Sequence, residues 1–379
     1  MVVIRKIQPD DLEAAINLSN QTFNNPGQGS MHVAFPFMFS RNKYNHSFGA
    51  FAEGKLVAFM GLVPFTVRVG DAGISLYALG SVCTDPDYQG QGIATKMLEE
   101  IDAFLQTTDA SLLLVSGDRP LYRKVDCYPF GQFFRYSYSG GNAQHADSPS
   151  TYTIREMGGA DLLSIARLAS ERKVAFDQSV SDLAVLLEAK AYANYRKLEQ
   201  KIIVIERAGI VSGFITVGLP NEVSLGDYDN NATAIEWAGD AQDIVDMLDY
   251  AVKAYALEGI GIDVPWYDIE LKARLKGRPV ETKQNQGTIK VVHAERLLQQ
   301  LYPYVNKEKY GGPIQLKVNA MDEHVEVATE TVTTMVSPNQ FVSLLFDPEP
   351  DNPKVKRLQQ ETVDAFPIPF PSTTGLNYT

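Results

Sequence analysis

The chain has 379 residues, of which 45% are hydrophobic and 21% are charged, and its formal net charge is -12 at pH 7. That length exceeds what one hydrophobic core usually organises, so two or three globular domains are expected. The acidic balance and the lack of any basic run argue against general nucleic-acid binding, and the hydropathy pattern predicts neither export nor membrane insertion.

The only two cysteines are Cys83 and Cys127. They cannot build a disulfide framework and match no metal-binding spacing, and the five histidines are scattered. We therefore expect a cytoplasmic protein without a metal site. The acidic balance suits a cationic substrate, but it also serves solubility alone.

The first 145 residues predict a mixed α/β domain. A strand at 2–7 precedes a helix whose first turn holds Pro9, Asp10 and Asp11, residue types that favour helix starts. Two hairpins, a helix, a buried strand and a final strand follow, at 47–53 with 55–63, 66–69 with 74–83, 93–105, 111–116 and 133–137. This order predicts a central mixed β-sheet flanked by helices.

The sequence after a polar stretch at 140–149 repeats the beginning. The stretch has the small and polar composition of a linker between packed units. Residues then recur at a constant offset of 150 (154 minus 4): Ile4, Arg5, Asp11, Leu12 and Leu18 match Ile154, Arg155, Asp161, Leu162 and Leu168. Such self-similarity indicates a duplicated unit, here at 150–285.

The second copy lacks the loop that would carry chemistry. In the first copy, residues 87–92 read Asp-Tyr-Gln-Gly-Gln-Gly between a strand and a helix. The second copy passes from Trp237 through Ala238 and Gly239 into a predicted helix at 240–256. From residue 287 a third pattern of strands and helices predicts a small α+β domain at 287–379.

The loop Gln89-Gly90-Gln91-Gly92-Ile93-Ala94 connects a strand to a helix. Unpaired N–H groups at a helix N-terminus attract anions, and glycines let a phosphate approach the backbone. Two glycines also close ordinary turns, so the motif alone leaves both interpretations open. A Rossmann loop fits poorly, because Thr95 occupies the third glycine position of that motif.

In this loop the sequence resembles the GCN5-related N-acetyltransferases (GNAT), whose Arg/Gln-x-x-Gly-x-Gly/Ala signature Gln89, Gly92 and Ala94 match. The resemblance implies acetyl-CoA as cofactor. It also implies that backbone groups of Val82, Cys83 and Thr84 contact the pantetheine. The loop amides that it assigns to the pyrophosphate are those of Gly90, Gln91, Gly92, Ile93, Ala94 and Thr95.

A second mark of this family is a tyrosine after the fifth strand, which protonates the departing thiolate. Tyr122 occupies that place. Members of the family usually follow this tyrosine with glycine and an aromatic residue, whereas Asp126 and Cys127 here precede Tyr128. Because Tyr122 occupies the position after the fifth strand, the resemblance still favours Tyr122 as the acid over Tyr128.

The whole chain is similar to the enhanced-intracellular-survival (Eis-like) acetyltransferases. The resemblance implies a catalytic domain at 1–145, a degenerate GNAT-like domain at 150–285 and a sterol-carrier-like domain at 287–379. In that group the terminal carboxylate reaches the active site as a general base, which here is Thr379; a tail packed only for stability is the alternative. Related proteins form symmetric oligomers, so we expect a homo-oligomer.

These observations predict an N-acetyltransferase that transfers acetyl to a primary amine by direct attack in a ternary complex. Aminoglycosides, polyamines, lysine side chains and small amines all remain open as acceptors. The aromatic stretch with Phe35 and Phe37 suits an acceptor pocket or core packing equally. The alternative function is a non-enzymatic sensor or scaffold that binds CoA or an apolar ligand.

Overall fold

The computed structural model describes residues 2–24, 28–42, 45–141, 152–221, 231–308, 317–321, 324–328, 333–362 and 365–379. Most of the predicted linker, 142–149, lies outside these ranges. Within them, no helix combines the length and the apolar character needed to cross a bilayer.

Strands and helices alternate along most of the chain. The strands are β1 (Val2–Lys6), β2 (Phe48–Ala52), β3 (Lys55–Val69), β4 (Ala72–Thr84), β5 (Leu112–Val115), β6 (Phe133–Tyr138), β7 (Tyr152–Glu156), β8 (Val174–Phe176), β9 (Glu199–Arg207), β10 (Ile210–Leu219), β11 (Thr233–Ala238), β12 (Ile260–Pro265), β13 (Val280–Lys283), β14 (Thr288–Val291), β15 (Lys317–Met321), β16 (His324–Ala328) and β17 (Thr333–Val336). The α-helices are α1 (Leu12–Phe23), α2 (Met31–Ala34), α3 (Ile93–Gln106), α4 (Pro120–Arg123), α5 (Leu162–Glu171), α6 (Val180–Ala189), α7 (Ala191–Tyr195), α8 (Ala241–Ala254), α9 (Ile269–Arg274), α10 (Ala294–Glu308), α11 (Pro338–Phe346) and α12 (Pro353–Glu361).

The first sheet has the strand order β1-β2-β3-β4-β5-β14, and β8 pairs with the far end of β3. β4 and β5 are parallel, whereas the other pairs are antiparallel. Alternate side chains of β4 enter different cores: Tyr77 and Leu79 pack towards α3, and Leu76 and Ala78 pack towards α10 and α11. The predicted mixed α/β fold class is confirmed.

The strand β3 is longer than the pattern predicts. The pattern predicts separate strands at 55–63 and 66–69, but one strand runs through Pro64 and pairs it with Tyr77 of β4. On its other side, β3 pairs with β2 only as far as Met60 and with β8 only from Val67 onward. Pro64 therefore lies at a locally unpaired edge, where a missing N–H costs no ladder hydrogen bond.

The second sheet has the order β13-β6-β12-β11-β10-β9-β7. It contains β6, which the sequence pattern predicts as the last strand of the first sheet. The first sheet is completed instead by β14, antiparallel to β5, although the pattern assigns residues 288–292 to the third unit. Each sheet thus takes its last strand from a distant part of the chain, and the assignment of β6 to the first sheet was wrong.

Each copy of the offset repeat contains the same kind of Arg–Asp ion pair. Arg5 holds both carboxylate oxygens of Asp11 at 2.6 and 2.9 Å, and Arg155 holds those of Asp161 at 2.6 and 3.0 Å. Each aspartate also accepts a backbone N–H three residues earlier, at 2.7 Å in both copies. The same fork therefore closes the turn between the first strand and the first helix of each half.

The C-terminal residues build a three-stranded sheet, β15-β16-β17, together with α10, α11 and α12. Their buried side chains do not form a separate core: Leu297, Leu301, Phe341 and Leu345 share one cluster with the face of the first sheet that bears Leu76. Residues 365–379, here called the tail, begin in this same cluster through Phe366, Ile368 and Phe370.

Candidate active site

The candidate site lies where β4 and β5 diverge. The two strands pair in register from Leu76 with Leu112 to Leu79 with Val115. β5 then ends, whereas β4 continues to Thr84 with β3 as its other neighbour. A wedge-shaped opening therefore begins beside Gly80, with the backbone of β4 on one side.

The backbone of β4 is irregular at this point. Its register with β3 shifts opposite the segment between Phe59 and Gly61, and Ser81 has a positive φ of 48°. The Ser81 hydroxyl donates to Ser19 of α1 at 2.8 Å, which anchors the bulge. A bulge bends the strand that contains it, so it contributes to the divergence from β5.

The loop after β4 prepares the N-terminus of α3. Asp85 accepts the Asp87 N–H at 3.1 Å and pairs with Lys55 at 2.9 Å. The Gln89 side chain donates to the Thr84 carbonyl at 3.1 Å, folding the loop back on its strand. These contacts hold the loop without occupying the first amides of the helix.

Gly90 and Gly92 both have φ of +75°, a conformation that residues with a Cβ rarely adopt. Gly92 is the N-cap of α3 and supplies no side chain to cap it. The first intrahelical hydrogen bond joins the Lys96 N–H to the Gly92 carbonyl at 3.2 Å. The amides of the preceding first turn thus point toward solvent at the positive end of a 14-residue helix.

The predicted cofactor residues lie along one continuous path. Val82, Cys83 and Thr84 form the end of β4. The second half of the loop is formed by Gln89, Gly90, Gln91 and Gly92, and the first turn of α3 begins with Ile93, Ala94 and Thr95. Gln89 to Gly92 are exposed, whereas Ile93 is buried beneath them. A Cβ built on Gly90 or Gly92 meets no atom within 4 Å, so the space over the loop is open.

The Cys83 thiol points away from this path, into the cluster beneath α1. It lies 3.8 Å from the Ser19 hydroxyl. Burial raises the pKa of Cys83 to about 11, although hydrogen bonds from neighbouring hydroxyls oppose that shift. A thiol of this kind stays protonated at neutral pH and is a poor nucleophile.

Tyr122 lies on α4, the short helix that follows β5. Its side chain is 5% exposed and packs in the same cluster as Ile93 and Leu79. The ring borders Gly117, where a built Cβ would lie 3.6 Å from the Tyr122 hydroxyl oxygen. Burial raises the pKa of Tyr122, so the phenol remains protonated at neutral pH.

Tyr128, the other tyrosine considered, is engaged elsewhere. Its hydroxyl donates to Asp126 at 3.0 Å, and burial, followed by Asp126, raises the pKa of Tyr128 to about 12. Its backbone pairs with Ile289 of β14. β14, which the pattern assigns to the third unit, therefore holds the segment that separates the two tyrosines.

The tail ends at the opening. The carbonyl carbon of Thr379 lies 2.7 Å from a Cβ built on Gly80, so only glycine admits the terminal residue there. Before the tail reaches Gly80, Glu236 of β11 accepts the Leu376 N–H at 2.7 Å. The Tyr378 ring packs among those of Phe35, Tyr192 and Tyr195, with ring centroids 5.1 to 6.3 Å apart. The tail is therefore clamped before it reaches the first sheet.

A cavity of about 110 Å³ surrounds the terminal residue. Its lining comes from α1 and α2, from β4 and the end of β5, from α7 and from the tail: Phe23, Asn24, Gln28, Met31, Phe35, Met38, Ser81, Ser116, Asn194, Tyr195, Tyr378 and Thr379. Phe35 thus lies in this cavity. Phe37 instead lines a separate cavity with Asn377.

The sequence pattern did not identify Ser81, Ser116, Asn194, Tyr195 and Tyr378 as site residues. Asn194 and Tyr195 belong to the second half of the chain, and no local motif relates them to β4. The position of Tyr378 could have identified it, because it directly precedes Thr379, whose carboxylate is predicted to act as the base.

No group of three or more His, Cys, Asp and Glu side chains suited to a metal occurs in the described ranges. His46 is a packing residue there: its Nδ1 lies 2.6 Å from the Tyr77 hydroxyl, and its ring contacts Phe104. Burial, followed by the nearby Lys6, lowers the pKa of His46.

Solved structures share this architecture. A GCN5-related N-acetyltransferase from Anabaena variabilis is 12% identical over 99% of this chain and 98% of its own, with a TM-score of 0.66. A probable N-acyltransferase of unknown function from Enterococcus faecalis is 13% identical over 89% and 85%, with a TM-score of 0.63. Eis1 from Mycobacterium abscessus is 12% identical over 89% and 85%, with a TM-score of 0.57. At such identities the likeness shows the fold.

No curated protein sequence matches the chain closely enough to serve as a relative. Residues 3–130 match the acetyltransferase (GNAT) domain family. This range contains β1 to β5, the loop at 85–92 and Tyr122, and acetyltransferases of this family use acetyl-CoA. The open loop and the exposed amides at the start of α3 fit its pyrophosphate. Residues 3–130 are therefore a GNAT acetyltransferase domain, and the protein is an acyltransferase whose cofactor is acetyl-CoA.

Proposed function

We propose that the protein acetylates a primary amine by direct attack of the neutral nitrogen on the acetyl thioester. Acetyl-CoA supplies the activated acetyl group. One observation carries the proposal: the Thr379 carboxylate lies against Gly80, at the point where β4 leaves β5, and Ser116 beside it adjoins the Gly117 that contacts Tyr122. On this proposal Thr379 is the base and Tyr122 the acid of one site.

The cofactor would lie along β4 and over the start of α3. Backbone groups of Val82, Cys83 and Thr84 border the wedge where a pantetheine arm fits. The backbone amides from Gly90 to Thr95 border the exposed surface where phosphates fit. Positive φ at Gly90 and Gly92 keeps that surface free of side chains.

Proton transfer needs two groups of this chain. The Thr379 carboxylate accepts the proton of the acceptor ammonium, directly or through water, which leaves a neutral nitrogen. A carbon–nitrogen bond forms, the carbon–sulfur bond breaks, and the Tyr122 hydroxyl protonates the departing sulfur. The proton that the nitrogen loses as it becomes an amide returns through water to the Tyr122 phenolate. No acidic residue occurs on β4, so the tail supplies the carboxylate that the strand lacks.

No covalent enzyme intermediate is proposed. Cys83 is the one strand cysteine near the wedge, and its buried thiol has a pKa raised to about 11. Direct transfer within a ternary complex needs no nucleophile on the enzyme, which agrees with the chemistry that Thr379 and Tyr122 offer.

We also infer that residues 150–285 are a second, degenerate GNAT-like unit of Eis-like organisation. The repeated Arg–Asp fork and the repeated order of strand, helix, antiparallel strands and helix support duplication. We infer a sterol-carrier-like origin for 287–379 from its helix, three-stranded sheet and two further helices. Cytoplasmic location, which the two free cysteines suit, and homo-oligomerisation stay predictions.

The proposal is tested by acetyl-CoA-dependent thiol release with a panel of amines. Extending the C-terminus by two glycines moves the carboxylate away from Gly80, and we expect at least about a 100-fold loss of kcat. The matched control carries the two glycines at the N-terminus. Thermal shift with acetyl-CoA, against adenosine, should be equal in both variants. Full activity of the C-terminal extension would exclude Thr379 as the base.

A further inference from the structure

The cavity around Thr379 contains a single charged group. Among the twelve lining residues named above, the terminal carboxylate is the one charged group, since none is Asp, Glu, Lys, Arg or His. A second ammonium of a polycationic acceptor would therefore find no anion within this lining.

The polar side chains of the cavity are largely committed to holding the cavity together. Gln28 donates to the Asn194 and Tyr195 carbonyls at 2.9 and 3.2 Å. The Asn194 side-chain oxygen accepts the Gly29 N–H at 2.7 Å. These bonds fasten the segment after α1 to α7, so the cavity is built jointly by both halves of the chain.

The remaining surface is aromatic and thioether. Phe23, Phe35, Tyr195 and Tyr378 supply aromatic side chains, and Met31 and Met38 supply thioether side chains. Such surfaces pack well against a flat apolar ring. Tyr195 is 49% exposed, so it forms the rim of the cavity.

The size of the cavity restricts what enters. Its volume is about 110 Å³, whereas an apolar cavity of about 150 Å³ accommodates benzene. A primary amine on a short chain fills most of that space, and a ring attached to it would lie against the rim at Tyr195. An aminoglycoside is several times too large and would have to leave most of its ammonium groups outside.

Resting on the proposed function, we propose that the acceptor is a small primary amine with a single positive charge and an apolar, ring-bearing body. The single carboxylate binds and deprotonates its ammonium, and the aromatic lining binds its ring. Dications and polycations are disfavoured, because each further charge would be desolvated without a partner. The cavity thereby selects against the polyamine and aminoglycoside classes.

The test compares kcat/KM for 2-phenylethylamine, butylamine, putrescine and an aminoglycoside at saturating acetyl-CoA, followed by thiol release. We expect 2-phenylethylamine to be the best acceptor, at least about tenfold above putrescine and the aminoglycoside. Equal or better use of either polycation would overturn the proposal while leaving the proposed function intact. Thiol release with none of the amines would overturn both.

A charge variant sharpens this test. Asn194→Asp keeps the oxygen that holds Gly29 and adds a second anion to the lining. We expect it to raise the ratio of kcat/KM for putrescine to that for butylamine about tenfold. The control is Asn339→Asp, the same change at an exposed position at the start of α11. An unchanged ratio in Asn194→Asp would contradict the proposed role of charge.

Discussion

The two halves of the molecule use the same strand geometry for different purposes. In the first half, β4 and β5 diverge beyond Leu79, and an eight-residue loop, 85–92, leads into α3. In the second half, the parallel pair β11 and β12 diverges beyond Ala234 and Ile262. There only Gly239 and Asp240 separate the strand from α8. The long loop is the proposed anion site, and the short connection offers no equivalent.

The tail of the same chain lines the second opening, where a cavity of about 260 Å³ is bordered by Tyr267 and by Pro371 and Ser372 of the tail. Glu236 of β11 is paired with Arg172 at 2.6 Å and also accepts the Leu376 N–H. The Tyr267 hydroxyl donates to the Phe370 carbonyl at 3.1 Å. The second half thus binds the tail, whose terminal residue lies against Gly80 of the first half.

The largest effect should come from closing the loop surface. Gly92→Glu forces a side chain onto a φ of +75° and places a negative charge where phosphates would lie. We expect at least about a 100-fold loss of kcat/KM for acetyl-CoA and loss of the thermal shift that acetyl-CoA produces.

Gly209→Glu is the matched control in the second half, because its φ is +80° and its surroundings are equally open. It should carry the same backbone strain without affecting acetyl-CoA. Equal losses in the two variants would show that strain, and not a cofactor surface, explains the result.

The second effect separates the two tyrosines. Tyr122→Phe should lower kcat about 100-fold by removing the acid, whereas Tyr128→Phe should change it less than about threefold.

The same tyrosine predicts a pH dependence. Because burial raises the pKa of Tyr122 above its ordinary value, its proton is kept as pH rises. We therefore expect wild-type kcat to show no alkaline decline below about pH 10, because the acid stays protonated in the ternary complex.

The third effect tests whether the second half positions the base. Glu236→Ala leaves the Leu376 N–H and Arg172 without their shared partner. We expect about a tenfold lower kcat with an unchanged KM for acetyl-CoA. Glu206→Ala removes a comparable partner of Arg155 away from the tail and should leave kcat unchanged. If the two variants behave alike, the tail is not positioned by Glu236.

The smallest effect concerns stability and compares the repeated forks. Asp161 also shares Arg155 with Glu206 and is more buried than Asp11, so Asp161→Asn should cost about 2 kcal/mol and Asp11→Asn about 1 kcal/mol. Hydrogen bonds to Arg155 and Arg5 lower the pKa values of these carboxyls. Their stabilisation is therefore present above about pH 4 and lost as pH falls through the lowered values. Urea unfolding at pH 7 and pH 3 measures both, and equal costs would contradict the ranking.

Local patterns predicted the loop region well. The glycines at 90 and 92 adopt the left-handed conformation that their type favours, and Ile93 begins a helix whose regularly spaced apolar residues are all buried. The prediction of two separate strands at 55–63 and 66–69 was wrong, because β3 runs through Pro64 where its other edge has no paired strand. Which strands pair with β3 is not encoded within a few residues of Pro64.

The sequence by itself determined the acetyltransferase loop, the tyrosine after β5 and the repeat at an offset of 150, because each depends on residue types over short stretches. Only the tertiary structure decided that β6 joins the second sheet and β14 the first, and that Asn194 and Tyr195 line a cavity beside Thr379. Those outcomes depend on contacts between residues more than 100 positions apart. Such contacts are selected by the energy of the whole fold, which no local pattern carries.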